Sequence, residues 1–213
     1  MHPNTMQVVF CRNKISSLDE FKGKKVRVWS RAIADYFEEL GSVSVNIPFR
    51  EVLPAMQQGV ADCGVTSPAN GNTAKWWEVT KDLLVLPAGG WAILFYGANI
   101  DFWKKLDPKH QDFLTAEFKK VEEAGWVQAG KDLDDGINCN LGPPKPCEFG
   151  VVPPEGKRMT ATYPTPADLK RHGDIMKASV LKKWAGRCGA ECVDEWNNTV
   201  GKVVGFTAPK PGT

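Results

Sequence analysis

The strongest constraint on the fold is a strand–helix–strand–helix–strand order packed into residues 24–66. Lys24-Lys25-Val26-Arg27-Val28-Trp29 reads as a strand whose alternation puts Val26 and Val28 on one face and Arg27 and Trp29 on the other. Ser30 is placed to cap a helix over 31–40, which Gly41 ends. Residues 42–47 alternate Ser with Val and form a second strand. Residues 48–58 form a helix that opens on a Pro-containing turn and stops at Gly59. Residues 60–66 are a third strand. Strands separated by helices pair in parallel, so this order predicts an α/β fold with a mainly parallel sheet flanked by helices.

The flanks are read in the same way. Residues 16–22 predict a short capped helix closed by Gly23. Residues 67–72, Ser-Pro-Ala-Asn-Gly-Asn, read as a polar turn before a helix that carries Trp76, Trp77 and Val79. Pro87, Gly89 and Gly90 break the apolar region 83–98 into two buried strands. Neither piece approaches the roughly 20 apolar residues of a spanning helix. A short helix is expected over 99–106. Asp107-Pro108 then opens a long helix over 109–133, in which Phe113, Ala116, Val121, Ala124 and Val127 form an apolar stripe opposite a solvated, mixed-charge side. Residues 136–150 read as loop, 159–163 as a strand, 166–184 and 191–204 as terminal helices, and the last six residues as a frayed tail. The triplet Asn197-Asn198-Thr199 matches a glycosylation acceptor, but inside a helix it is read as coincidence.

Charge excludes one class of partner. Lys and Arg number 27 against 25 Asp and Glu, a net charge of +2, and no basic block provides a footprint for nucleic acid. The first residues have no basic start, apolar run or cleavage site, so they are not a signal peptide. The six cysteines point the other way about compartment. Cys139 and Cys147 flank a Pro/Gly-rich loop, Cys188 and Cys192 lie four apart, and Cys11 and Cys63 are single. An even count partly clustered near turns reads as disulfides formed in an oxidising compartment; free buried thiols and a zinc site are the competing readings. Spacing alone does not give the connectivity. Disulfides without a signal peptide suggest that the natural protein begins upstream.

Catalytic motifs are absent: no GxSxG, HExxH, P-loop or GxGxxG occurs. His2 lies in the terminal tail, and His110 and His172 read as surface residues. An enzyme is disfavoured, with an unfamiliar chemistry at Cys63 kept as an alternative. Binding fits better. In open parallel sheets ligands sit beyond the carboxyl ends of the strands. Arg27 and Trp29, beside Ser30, lie at one such end, and Thr66 and Ser67 at another. A guanidinium fork suits a carboxylate, so the implied ligand is a small organic anion; the alternative is an ordinary salt-bridged Arg.

The order of motifs resembles the solute-binding receptors of TRAP transporters, the DctP family. The residues that carry the resemblance are Asp19-Glu20-Phe21-Lys22-Gly23, Lys25-Val26-Arg27-Val28, Leu40-Gly41, Pro48-Phe49-Arg50-Glu51-Val52, Ala55-Met56-Gln57-Gln58-Gly59 and Asp62. The Trp-Trp-Glu-Val-Thr segment and the Cys-bearing end are also similar to it, so the likeness covers nearly the whole chain. It implies a type II periplasmic-binding-protein fold, with residues 1–107 as an α/β ligand-binding lobe and 108–213 as a long connecting helix and bracing helices. It implies an extracytoplasmic, periplasmic receptor that binds a mono- or dicarboxylate, delivers it to TRAP membrane subunits, performs no catalysis and needs no metal or cofactor. Arg27 takes the position of the carboxylate anchor, Phe49 that of an aromatic facing the ligand, and Thr66 that of a polar contact. Ser67, Trp29 and Trp91 follow from position alone. A second ligand-binding Arg of some members falls near Gln7 here, which puts that contact in doubt. The likeness corresponds to the C-terminal two thirds of a receptor, so the expectation includes a missing first lobe and, as an alternative, a fragment that binds no solute by itself.

Overall fold

The computed structural model describes residues 2–212. In chain order the strands are β1 (His2–Asn4), β2 (Val8–Cys11), β3 (Lys25–Val28), β4 (Val43–Asn46), β5 (Cys63–Thr66), β6 (Asp82–Leu84), β7 (Ala92–Leu94) and β8 (Thr160–Thr162). The α-helices are α1 (Arg31–Glu39), α2 (Val52–Gln57), α3 (Pro68–Thr73), α4 (Ile100–Lys105), α5 (Pro108–Leu141), α6 (Pro166–Ile175), α7 (Leu181–Cys188), α8 (Ala190–Asn198) and α9 (Val200–Val204). A π-helical turn, Met176–Val180, joins α6 to α7.

The main sheet has the order β4-β3-β5-β2-β6-β8. β3 pairs in parallel with β4 and β5, and β6 with β8, while β2 runs antiparallel between β5 and β6. The expected α/β fold is therefore present, and several of its local signals act where the sequence places them, although the helix expected over residues 16–22 is a 3₁₀ turn, Leu18–Phe21, with no side-chain cap from Ser17. The Ser30 hydroxyl accepts from the Ile33 N–H at 3.3 Å to cap α1, and Gly41 and Gly59 take positive φ where α1 and α2 end. Two apolar layers sandwich the sheet. Val26, Val28, Cys63 and Val65 pack under α1 and the π turn; Val8, Phe10, Val45 and Ile47 pack under α2, Trp76 and α5. Alternation along each strand decides which layer a residue joins, and it puts Arg27 and Thr66 on the second face.

Several expectations are corrected. β2 carries no sequence signal because all four of its residues are buried, so no polar alternation marks it. Residues 67–72 are not a loose turn. They begin α3, which Ser67 caps by accepting from the Asn70 N–H at 3.2 Å, with Pro68 in the first turn. The helix expected around Trp76 is a single 3₁₀ turn, Trp76–Glu78. The second piece of the apolar region 83–98 is exposed, not buried: β7 pairs only with β1, and Phe95 is 74% exposed.

The long helix differs most. It runs to Leu141, into the stretch read as loop, and its predicted stripe faces solvent, with Phe113, Val121 and Val127 exposed. The buried side consists of Gly125, Ala129, Gly136, Ile137, Cys139 and Asn140. Small residues win there because α3 approaches so closely that a Cβ on Gly136 would collide with the Ala69 backbone. Asn72 and Asn140 fasten the contact. The Asn72 side-chain amide donates to the Val151 carbonyl at 2.8 Å and accepts from its N–H at 2.7 Å, and Asn140 donates to the Pro68 carbonyl at 3.1 Å.

Disulfides join Cys11 to Cys63, Cys139 to Cys147 and Cys188 to Cys192. The C-terminal tail, read as frayed, is fastened at its first residue: Asn197 accepts from the Ala208 N–H at 2.7 Å and donates to its carbonyl at 3.1 Å, while Thr213 lies outside the described residues. His172 is not a plain surface residue. Its ring meets Tyr36 edge-on at 4.9 Å, its Nδ1 is buried without a partner, and burial lowers its pKa.

Candidate functional site

The site grows from one residue in the middle of a strand. β3 lies between β4 and β5, and the Arg27 side chain runs along the sheet face toward their carboxyl ends. Its Nε–H donates to the Ile47 carbonyl just past β4, and its Nη1 to the Val65 carbonyl on β5, both at 2.9 Å. The guanidinium is thereby fixed between two strands. It also lies 5.9 Å from the ring centroids of both Phe49 and Trp76.

Arg27 is 4% exposed, yet no carboxylate among the described residues forms an ion pair with it. Burial pulls its pKa down to about 10, so it stays protonated at neutral pH. A buried cation is costly unless something opposes its charge, and here carbonyl dipoles and π faces take that part. Of the five N–H donors on a guanidinium, these two bonds use two. The remainder form a fork that suits a planar oxyanion.

The other predicted residues divide. Phe49 opens the 3₁₀ turn Phe49–Glu51, rests on Trp76 at 5.5 Å and keeps an exposed face over the guanidinium. Thr66 ends β5 on the Arg27 face, opposite Val8, and is buried. Ser67 follows it, fully buried, with its hydroxyl engaged as the cap of α3. Trp29 lies beyond the end of β3 and is 41% exposed. It lines a groove of about 270 Å³ with Arg31, Glu38, Ser44 and Asn46, on the α1 side rather than with Arg27. Trp91 stands at the start of β7, half-exposed, next to Gly90, whose carbonyl accepts from the Gln7 N–H at 2.8 Å. Gln7 itself turns its amide onto the Thr5 carbonyl at 2.8 Å.

Two contributors were not legible as site residues. Trp76 is fully buried and reaches Arg27 from across the sheet face. Gly64 is the register partner of Arg27 on β5, and a Cβ there would come within 3.0 Å of the Trp76 ring. Both lie far from Arg27 in sequence; the Trp-Trp pair was the one available signal. Cys63 is excluded as a nucleophile in this state, because it is bridged to Cys11 and joins the opposite core layer. Among the described residues no His, Cys, Asp or Glu cluster forms a metal site.

The model of the DctP family, bacterial extracellular solute-binding protein family 7, matches residues 2–136. The chain belongs to this family. The C4-dicarboxylate-binding periplasmic protein DctP of Rhodobacter capsulatus is 31% identical over 106 residues, covering 48% of this chain and 31% of its own length. A TRAP periplasmic solute binding protein from Rhodoferax ferrireducens, solved with bound malonate, superposes with a TM-score of 0.75 at 20% identity, covering 96% of this chain and 60% of that one. Another from Desulfovibrio salexigens, with bound orotic acid, gives 0.74 at 20%, covering 95% and 61%. These superpositions establish the fold. The chain spans about a third of the length of the curated relatives it matches. The family is one of solute-binding receptors. No helix among the described residues is long and apolar enough to cross a membrane.

Proposed function

We propose that this chain serves as an extracytoplasmic, periplasmic solute receptor of a TRAP transporter, with Arg27 anchoring a small organic carboxylate for delivery to membrane subunits. One observation carries the reading: a buried, protonated guanidinium held between two strands with no acidic partner among the described residues. A carboxylate bound there replaces missing solvation with charge-assisted hydrogen bonds. Phe49 supplies an apolar wall and Thr66 a polar contact. Ser67 acts through the α3 cap that follows Thr66, and Trp29 and Trp91 are kept only as outlying contacts. Residues 1–107 hold the ligand lobe, and 108–213 provide the connecting helix and braces. The reading involves binding and release without chemical turnover, and it takes support from the malonate bound to the Rhodoferax ferrireducens structure and the dicarboxylate in the name of the Rhodobacter capsulatus relative.

A second reading has the chain hold Arg27 in place without enclosing a solute unaided. It is favoured by the exposed face of Phe49 and by Phe95, Phe113 and Val127, which no described element covers. Calorimetric titration of malonate, succinate and pyroglutamate tests both. In the receptor reading, Arg27→Met weakens the best ligand by roughly 100-fold, the worth of one or two charged hydrogen bonds. Equal affinity of wild type and Arg27→Met overturns the anchor. Absence of binding by the folded wild type favours the second reading.

A further inference from the structure

The cluster around Arg27 contains one core residue whose polar group has no use in the packing. Trp76 is fully buried, yet its indole N–H finds no acceptor. An unpaired buried donor is a standing cost that an aromatic without the N–H avoids. What the indole contributes is a face. The ring lies 5.9 Å from the Arg27 guanidinium carbon and 5.5 Å from the Phe49 ring, tilted 33° to it. It also meets Phe10 edge-on at 5.4 Å, within the core cluster that packs around it.

The strand beneath Trp76 is shaped to admit it. Gly64 sits on β5 directly across from Arg27, and its lack of a side chain leaves the room that the ring uses. A Cβ there would stand 3.0 Å from Trp76 and 2.9 Å from the Met56 methyl. Beta strands disfavour glycine in their interior, where it marks a close approach by another group. Here the groups are the indole and the Met56 methyl.

We infer that Trp76 is a positioning residue for the Arg27 fork. Together with the Ile47 and Val65 carbonyls, it fixes the plane in which the unengaged N–H donors point, and so selects planar carboxylates over anions of other shape. This inference rests on the carboxylate reading for its ligand, but not for its geometry. Cation–π contact with a desolvated guanidinium is strong enough to hold one orientation among several.

The test uses the full chain and two readouts. The first needs no ligand: the Arg27 Nε–Hε signal in ¹H–¹⁵N spectra, its shift and its exchange with solvent. Trp76→Leu keeps an apolar side chain but no π face; Hε exchange is expected to accelerate about tenfold and its shift to move toward that of a free Arg, while Trp76→Phe stays close to wild type. The second readout is titration with malonate and with sulfate, where Trp76→Leu narrows the preference for malonate by about tenfold. Unchanged exchange and shift in folded Trp76→Leu overturns the proposal. Should Trp76→Leu not fold, Trp76→Met, a longer apolar side chain that also lacks a π face, must shift the same Hε signal; an unmoved signal again overturns the proposal. If Hε responds as expected while folded wild type binds no carboxylate, positioning stands and the reading in which this chain encloses a carboxylate unaided falls.

Discussion

Replacing Cys11 and Cys63 together by alanine removes a bridge that closes a loop of 52 residues. In the chain-entropy picture the bridge restricts the unfolded chain by an amount that grows with the logarithm of the loop, about 4 kcal/mol at this length. The same arithmetic gives about 2.5 kcal/mol for the Cys139–Cys147 loop, with separation 8, and about 2 kcal/mol for Cys188–Cys192, with separation 4. Burial pushes the ranking in the same direction. Cys11 and Cys63 lie in the core, so their truncation also loses packing, whereas Cys192 is exposed. For a chain of this size the expected fall in Tm for Cys11→Ala/Cys63→Ala is about 8–16 °C. The assay is urea unfolding of the three paired variants under identical non-reducing conditions, followed by tryptophan fluorescence. Hydrogen exchange should locate the loss in β2, the antiparallel strand that the bridge ties to β5. If Cys188→Ala/Cys192→Ala loses as much stability as Cys11→Ala/Cys63→Ala, loop length and burial do not govern these bridges, and the reasoning fails.

Two further predictions concern the long helix and pH. Gly136→Ala should destabilise by about 1–3 kcal/mol, because the new methyl meets the Ala69 backbone, whereas Gly130→Ala in the same helix, with open space around it, should stabilise by up to about 1 kcal/mol; thermal melts of both check the sign. His172 has a folded pKa below 6.5 because of burial, so the folded state holds fewer protons than the unfolded chain. Its contribution is complete above pH 6.5 and is lost as pH falls; unfolding free energy measured from pH 7.5 to 5 should decline, and His172→Phe, which keeps the ring against Tyr36, should flatten that decline.

Much of the fold was legible because its signals are local. Ser30 caps α1 through an N–H three residues away, Gly41 and Gly59 end helices by adopting φ near +77° and +74°, and alternation in β3 separates Val26 and Val28 from Arg27. Where reading failed, a nonlocal contact overruled a local cue. The composition of residues 67–72 suits a turn, but Ser67 and Pro68 start a helix that closes against Gly136. The apolar stripe of α5 reads as core, yet the helix's Gly/Ala side is the one that lets two backbones approach. In β2 a fully buried run offered no contrast to read.

Of the candidate site, the residue proposed as anchor was legible in the sequence. Arg27 is a charged residue at the end of a predicted parallel strand, on the face opposite Val26 and Val28. The tertiary structure alone decided what that charge meets. The Ile47 and Val65 carbonyls lie 20 and 38 residues away, and Trp76 enters through a gap left by Gly64. It also decided that Cys63 is bridged to Cys11 rather than free. Strand alternation and helix caps are set by spacings of two to four residues, which a linear reading captures. The polarity around a buried guanidinium is set by which distant strands close over it, and that is fixed only once the sheet has assembled.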